Sequence, residues 1–145
     1  MLSEGYLKEY KSFLNELENK MDETFELGLE VLKLLFILEC SNLEKIKESA
    51  KEIEKSVISV LKRVVKTFFK MKRIYITILK IIESGETIDE EFFKMMLSDL
   101  REVIDDVDEI VRYMVEIHQN LKGMVKEYED TIFLSIKKTK NGQSR

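Results

Sequence analysis

Apolar residues recur along this chain at alternating steps of three and four, in three long runs that each hold one phase. The first run is Leu7, Tyr10, Leu14, Leu17, Met21, Thr24, Gly28, Val31, Leu35 and Leu38. The second is Leu43, Ile46, Ala50, Ile53, Val57, Val60, Val64, Thr67, Met71, Ile74, Ile78 and Ile81. The third is Phe93, Met96, Leu100, Val103, Val107, Ile110, Met114, Ile117, Leu121, Met124 and Tyr128. A seam with that spacing stays on one side of a helix that winds about its neighbours. The pattern therefore predicts three bundle helices, over about 3–39, 42–84 and 88–137. The stretch Ile74-Tyr75-Ile76-Thr77-Ile78-Leu79 has the β-branched composition of a strand, but the seam continues on both sides of it and assigns it to the middle helix.

The breaks between runs carry their own signals. Ser41-Asn42-Leu43-Glu44 and Thr87-Ile88-Asp89-Glu90 read as capping boxes, and Gly85 can take the left-handed conformation that ends a helix. Turns this short make successive helices antiparallel, so the expected fold is an all-α, up-down-up bundle of three long helices. Facing core residues of an antiparallel pair have a constant sum of residue numbers. The sum is 81 for the first two seams, as for Leu17 with Val64, and 174 for the second and third, as for Val64 with Ile110. The middle helix, in register with both neighbours, is expected to be the central strut. A single domain over 1–138 with a polar flexible tail at 139–145 follows, and a break near Gly28 or Gly123 would give four helices instead.

Composition agrees with this. At 145 residues the chain can bury one sizeable core, and it has no proline to interrupt long helices. The abundance of Lys, Glu and Ile suits a thermophile. The net charge of −4 argues against a dedicated nucleic-acid binder. The lone Cys40 cannot form an internal disulfide, and the N-terminal stretch lacks a signal core, so a cytoplasmic protein is expected. The most apolar run, Leu29 to Leu38, is interrupted by Glu30 and Lys33 and is too short to span a bilayer.

Charge along the chain is strongly segregated. Between Lys55 and Ile82 there are eight basic residues (Lys55, Lys62, Arg63, Lys66, Lys70, Lys72, Arg73, Lys80) and no acidic one. With Phe68, Phe69 and Tyr75 interleaved, this resembles a surface for nucleic acid or an anionic membrane. The competing expectation is neutralisation within the molecule, because Asp89 to Glu109 holds nine acidic residues against two basic ones. The predicted register sets Arg63 near Glu109, Lys66 near Asp106, Lys70 near Glu102 and Arg73 near Asp99.

Candidate chemistry is sparse. His118 is the single histidine, which excludes a ferritin-like di-iron centre and a zinc-protease site. Arg112 and His118 match the loose Arg-to-His spacing of HEPN-type helical ribonucleases. The carboxylates Glu102, Asp105, Asp106, Asp108 and Glu109, with Glu23 and Glu26, resemble the acidic metal sites of all-α nucleotide pyrophosphatases. Residues six apart on a continuous helix point about 120° apart, however, and the paired acidic motifs on facing helices are missing. No catalytic residue, metal or cofactor is expected. Thr24, Gly28 and His118 form an undersized, partly polar patch that suits a small ligand or water.

Apolar residues also exceed what three seams require. A second stripe on the third helix runs Leu97, Ile104, Val111, His118, Val125, Ile132, with His118 at its boundary. Leu29, Phe36, Ile37, Phe69 and Ile76 occupy nominally outer positions, and Ile132, Phe133, Leu134 and Ile136 overhang the partner helices. Surplus apolar surface marks an interface. The expected function is a non-enzymatic helical bundle mediating protein–protein interaction as a homodimer, through Leu29, Phe36, Ile37, Ile132, Phe133, Leu134 and Ile136. Helical hydrolase or nuclease activity, and anionic-surface binding through the middle helix, are the alternatives.

Overall fold

Three helices account for nearly the whole chain: α1 (Leu2–Glu39), α2 (Glu44–Glu83) and α3 (Glu90–Gln143). The computed structural model describes the backbone of residues 2–143 and the side chains of residues 4–131. Both Gly28 and Gly123 lie inside unbroken helices, so the bundle has three helices and not four. α3 runs past the expected boundary at Lys137, into the segment read as a polar tail.

The turns form much as their residues dictate. Gly85 takes φ +85, and its amide donates to the Ile82 carbonyl at 3.0 Å while the Glu86 amide donates to Ile81 at 3.3 Å. This pair of crossed bonds closes α2 and satisfies carbonyls that the helix itself cannot. The first expected capping box does not form. Ser41 Oγ accepts from the Leu43 amide at 3.1 Å, two residues on, and α2 starts at Glu44 with no side-chain cap at Leu43. At α3, Asp89 supplies the accepting oxygen, to the Glu91 amide at 3.4 Å.

Contacts between helices fix the directions. Tyr10 meets Met71 and Leu61 lies over Gly28, so α1 and α2 are antiparallel. Tyr6 bonds Glu90, Arg101 bonds Glu9 and Tyr128 bonds the Cys40 carbonyl, so α1 and α3 are parallel. The order is up-down-up.

The central helix is α1, not α2. α1 packs along both of its neighbours, whereas α2 and α3 barely touch each other. The reason lies in the residues flanking each seam. On α1 the seam positions Tyr10, Leu14, Leu17, Thr24, Gly28, Val31, Leu35 and Leu38 are buried, and both flanks are half-buried too: Phe13, Leu27 and Leu34 on one side, Phe25 and Leu32 on the other. That arc is wide enough to cover two helices, and each neighbour rotates to meet it. α2 buries Val57, Val64 and Met71 together with Leu61 and Phe68. α3 buries Leu100, Val107 and Met114 together with Leu97, Ile104, Val111 and Val125. Leu97, Ile104, Val111 and Val125 of the stripe expected to be surplus on α3 are thus core. Each such fully buried aliphatic contributes about 1.5–3 kcal/mol, which is why the neighbours turn toward α1.

Two apolar clusters make up the core. One is built around Tyr10, Leu17, Phe68 and Leu100, the other around Val31, Leu35, Val57, Leu61 and Met114. Thr24, with no exposed surface, and Gly28 lie at α1 positions between the two.

Candidate interaction surface

The rotation of α2 and α3 toward α1 leaves half of each original seam without a partner. Ile53, Val60 and Thr67 of α2, and Val103, Ile110 and Ile117 of α3, are half-buried and line a groove between the two helices. The groove comprises two adjoining hollows, of about 430 and about 220 Å³, that share Val60 and Tyr113. Val64, Val107, Val57 and Met114 form the deeper lining. Tyr113, 56% exposed, stands where the hollows meet.

Charge divides the groove lengthwise. Arg63 lies on the α2 wall, and Asp106 and Glu109 lie on the α3 wall. Lys70, seven residues on from Arg63, continues the basic wall, and Asp99 and Glu102, seven residues before Asp106 and Glu109, continue the acidic one, all exposed. The expected pairs Arg63–Glu109, Lys66–Asp106, Lys70–Glu102 and Arg73–Asp99 do not form. Among the described residues the ion pairs are Lys20–Asp108, Arg101–Glu9, Lys33–Glu30 and Lys94–Glu90, and none joins α2 to α3. The physical cause is the open groove, which holds the two walls apart. Neutralisation runs between α1 and α3 instead: hydrogen bonding to Asp108 raises the pKa of Lys20, and Arg101 reaches Glu9 at 3.1 Å while lying 5.1 Å over the Phe13 ring.

A second apolar area lies on the opposite flank of α1 and α2. Leu29 and Phe36 are 56% and 66% exposed, and Ile37 is half-buried. Phe69 and Ile76 are also exposed. Phe25, Ile58, Leu61 and Val65 line a hollow of about 400 Å³ here, beside Lys62 and Lys66. The remaining expected interface residues, Ile132, Phe133, Leu134 and Ile136, lie outside the residues whose side chains are described.

The ligand patch expected at Thr24, Gly28 and His118 is arranged as follows. Thr24 Oγ1 donates to the Lys20 carbonyl of its own helix at 2.7 Å. Both terminal methyls of Leu61 come within 2.9 Å of where a Cβ on Gly28 would stand, so Leu61 occupies the space the glycine leaves. His118 is half-buried and Arg112 exposed on the unbroken α3, where their spacing sets them on different faces. Among the described residues no group of three His, Cys, Asp or Glu side chains is placed to hold a metal ion.

One charged cluster was not foreseen. Glu39, at the end of α1, meets Glu54 of α2, and interaction with that carboxyl, then burial, raises its pKa. Glu39 Oε1 is shielded from water with no partner. Nothing in the spacing of the two glutamates signals this meeting, because they lie off the seam on helices that rotated.

No family model, curated protein or solved structure matches the chain. Among the described residues no helix is long and apolar enough to cross a membrane.

Proposed function

We propose that this chain is a non-enzymatic helical module that acts by protein–protein association, as a homodimer in a reducing, cytoplasmic setting. The observation that supports it best is the groove between α2 and α3, a continuous half-buried apolar strip bordered by opposite charges with no partner across it. Apolar strips of this kind, rimmed by polar groups, are where one protein covers another. The strip with Leu29 and Phe36 on the far flank is the alternative contact between copies.

Light scattering across a hundredfold dilution tests this reading. A mass near twice that of the 17.2 kDa chain, falling toward one chain on dilution, is expected. A monomer at every concentration would overturn it.

A second reading has one observation in its favour. All eight basic residues between Lys55 and Ile82 are exposed, and none makes an ion pair among the described residues. Phe69 and Ile76 stand exposed among them, which suits an anionic surface. Binding to vesicles containing phosphatidylserine that weakens with added salt is the result this reading requires.

A further inference from the structure

We infer that the groove is completed by a second copy of this chain, related by a two-fold axis parallel to the helices, so that α2 of each copy lies across α3 of the other. This inference rests on the self-association reading above and adds the geometry and the determinants of that contact.

α2 and α3 are antiparallel, and residues opposite each other across the groove, such as Val64 and Ile110 or Arg63 and Glu109, stand at one level along the rod. A closed symmetric dimer must use the same patch twice. Two faces made of parallel rods can meet about a two-fold axis in only two ways.

An axis perpendicular to the rods sets α2 on α2 and α3 on α3. It would then oppose the basic residues Arg63 and Lys70 to their own copies, and do the same for Asp99, Glu102, Asp106 and Glu109. An axis parallel to the rods preserves the level of every residue and exchanges the walls. The basic wall of each copy then lies against the acidic wall of the other, in the register that the open groove prevents within one chain.

The apolar geometry agrees with the second arrangement. Ile53, Val60 and Thr67 of one copy meet Val103, Ile110 and Ile117 of the other, and four helices enclose these lines as the core of a four-helix bundle does. Tyr113 stands at the same level as Val60, so it enters the second copy's groove wall. A large aromatic side chain at the middle of such a patch is the usual anchor of an interface.

Charge variants and cross-links test the geometry. Arg63→Glu/Lys70→Glu makes the α2 wall less basic, and Glu102→Lys/Glu109→Lys makes the α3 wall less acidic. Each variant alone should fall at least tenfold in self-association while its helicity by circular dichroism stays unchanged. All four changes in one chain restore opposite charges across both altered pairs and should restore the dimer. A dimer that ignores the charge changes would overturn the inference, as would a four-fold variant that remains monomeric.

Orientation is read separately in a Cys40→Ser background. Ser56→Cys chains mixed with Asn120→Cys chains should give mixed disulfide dimers on mild oxidation, because these groove-rim positions of α2 and α3 lie at nearly the same level. Disulfide dimers formed by Ser56→Cys chains alone would place α2 on α2 and overturn the arrangement. If the unaltered chain is a monomer by light scattering, the self-association reading itself fails. If it is a dimer but the cross-links join α2 to α2, only the present inference fails.

Discussion

Leu61 of α2 packs its two terminal methyls into the notch that Gly28 leaves in α1, within 2.9 Å of where a Cβ would be. At Gly28 the central helix has no side chain, and α2 fills the space. Gly28 costs α1 about 1 kcal/mol of helix propensity relative to alanine, and the close approach of α2 offsets it. Gly28→Ala should change stability by less than about 1.5 kcal/mol, since regained propensity opposes the crowding of a mobile leucine tip. Leu61→Ala should cost about 2–4 kcal/mol. The double variant should recover part of that loss, because the new methyl partly fills the notch. Urea denaturation of the four proteins gives the coupling, and strict additivity would contradict the contact.

Tyr10 holds α1 to α2 through a buried hydroxyl. Its Oη donates to the Met71 carbonyl at 3.1 Å, and its ring stacks on Tyr75 at 5.8 Å between centroids. Tyr10→Phe should cost about 1 kcal/mol, the usual net worth of such a bond. Burial, and then the charge of Asp99, pushes the pKa of Tyr10 up to about 12 from 10.0. The unfolded chain therefore loses this proton first. The stability that the neutral hydroxyl contributes is complete below pH 10 and is lost as pH rises toward 12. Chemical denaturation at pH 9 and pH 11 should show a smaller loss in the Phe variant than in the unaltered protein.

The Glu39–Glu54 contact predicts the opposite kind of substitution, one that stabilises. Since the pKa of Glu39 is raised by Glu54, the folded chain holds a proton that the unfolded chain releases. Stability from this pair is complete below the ordinary glutamate range and declines as pH rises through the raised value. Glu54→Gln should thus raise the melting temperature at pH 7, by the equivalent of about a few tenths of a kcal/mol for a half-buried pair partly screened by solvent. The gain should vanish near pH 4. A lowered melting temperature at pH 7 would show that the two carboxyls do not meet.

The arrangement about α1 separates two adjacent residues of α3. Ile104 is buried against α1, whereas Val103 lines the groove and is half-buried. Ile104→Ala should cost about 2–4 kcal/mol, the scale of a truncated core isoleucine. Val103→Ala should cost the fold less than half as much under dilute conditions. Comparable losses from both would return α2 to the centre of the bundle.

Much of this fold was legible in the residues. The heptad phase located three helices, Gly85 marked the end of α2, and the short turns dictated up-down-up order. The seams alone point to α2 as the central helix, because a seam does not say how far each helix is rotated about its own axis. That information lay in the flanking lines. Phe13, Leu27 and Leu34 on one side of the α1 seam and Phe25 and Leu32 on the other form a wide arc, while α2 and α3 each carry one extra line, with Leu61 and Phe68, and with Leu97, Ile104 and Val111. Only the helix with two apolar flanks can serve two neighbours. The α3 line is core, and Val60, Ile110 and Ile117, core positions by the heptad phase, line the groove instead. The predicted α2–α3 ion pairs failed for the same reason, since correct register brings charges level without bringing them together.

Tyr113 and Phe36 are the exposed aromatics of the two competing surfaces, and one comparison between them bears most directly on the central claim. Sedimentation equilibrium of Tyr113→Glu and Phe36→Glu beside the unaltered chain reports which surface the second copy covers. The α1-centred fold with its open α2–α3 groove predicts that Tyr113→Glu is a folded monomer and that Phe36→Glu still dimerises. A dimeric Tyr113→Glu together with a monomeric Phe36→Glu would contradict it.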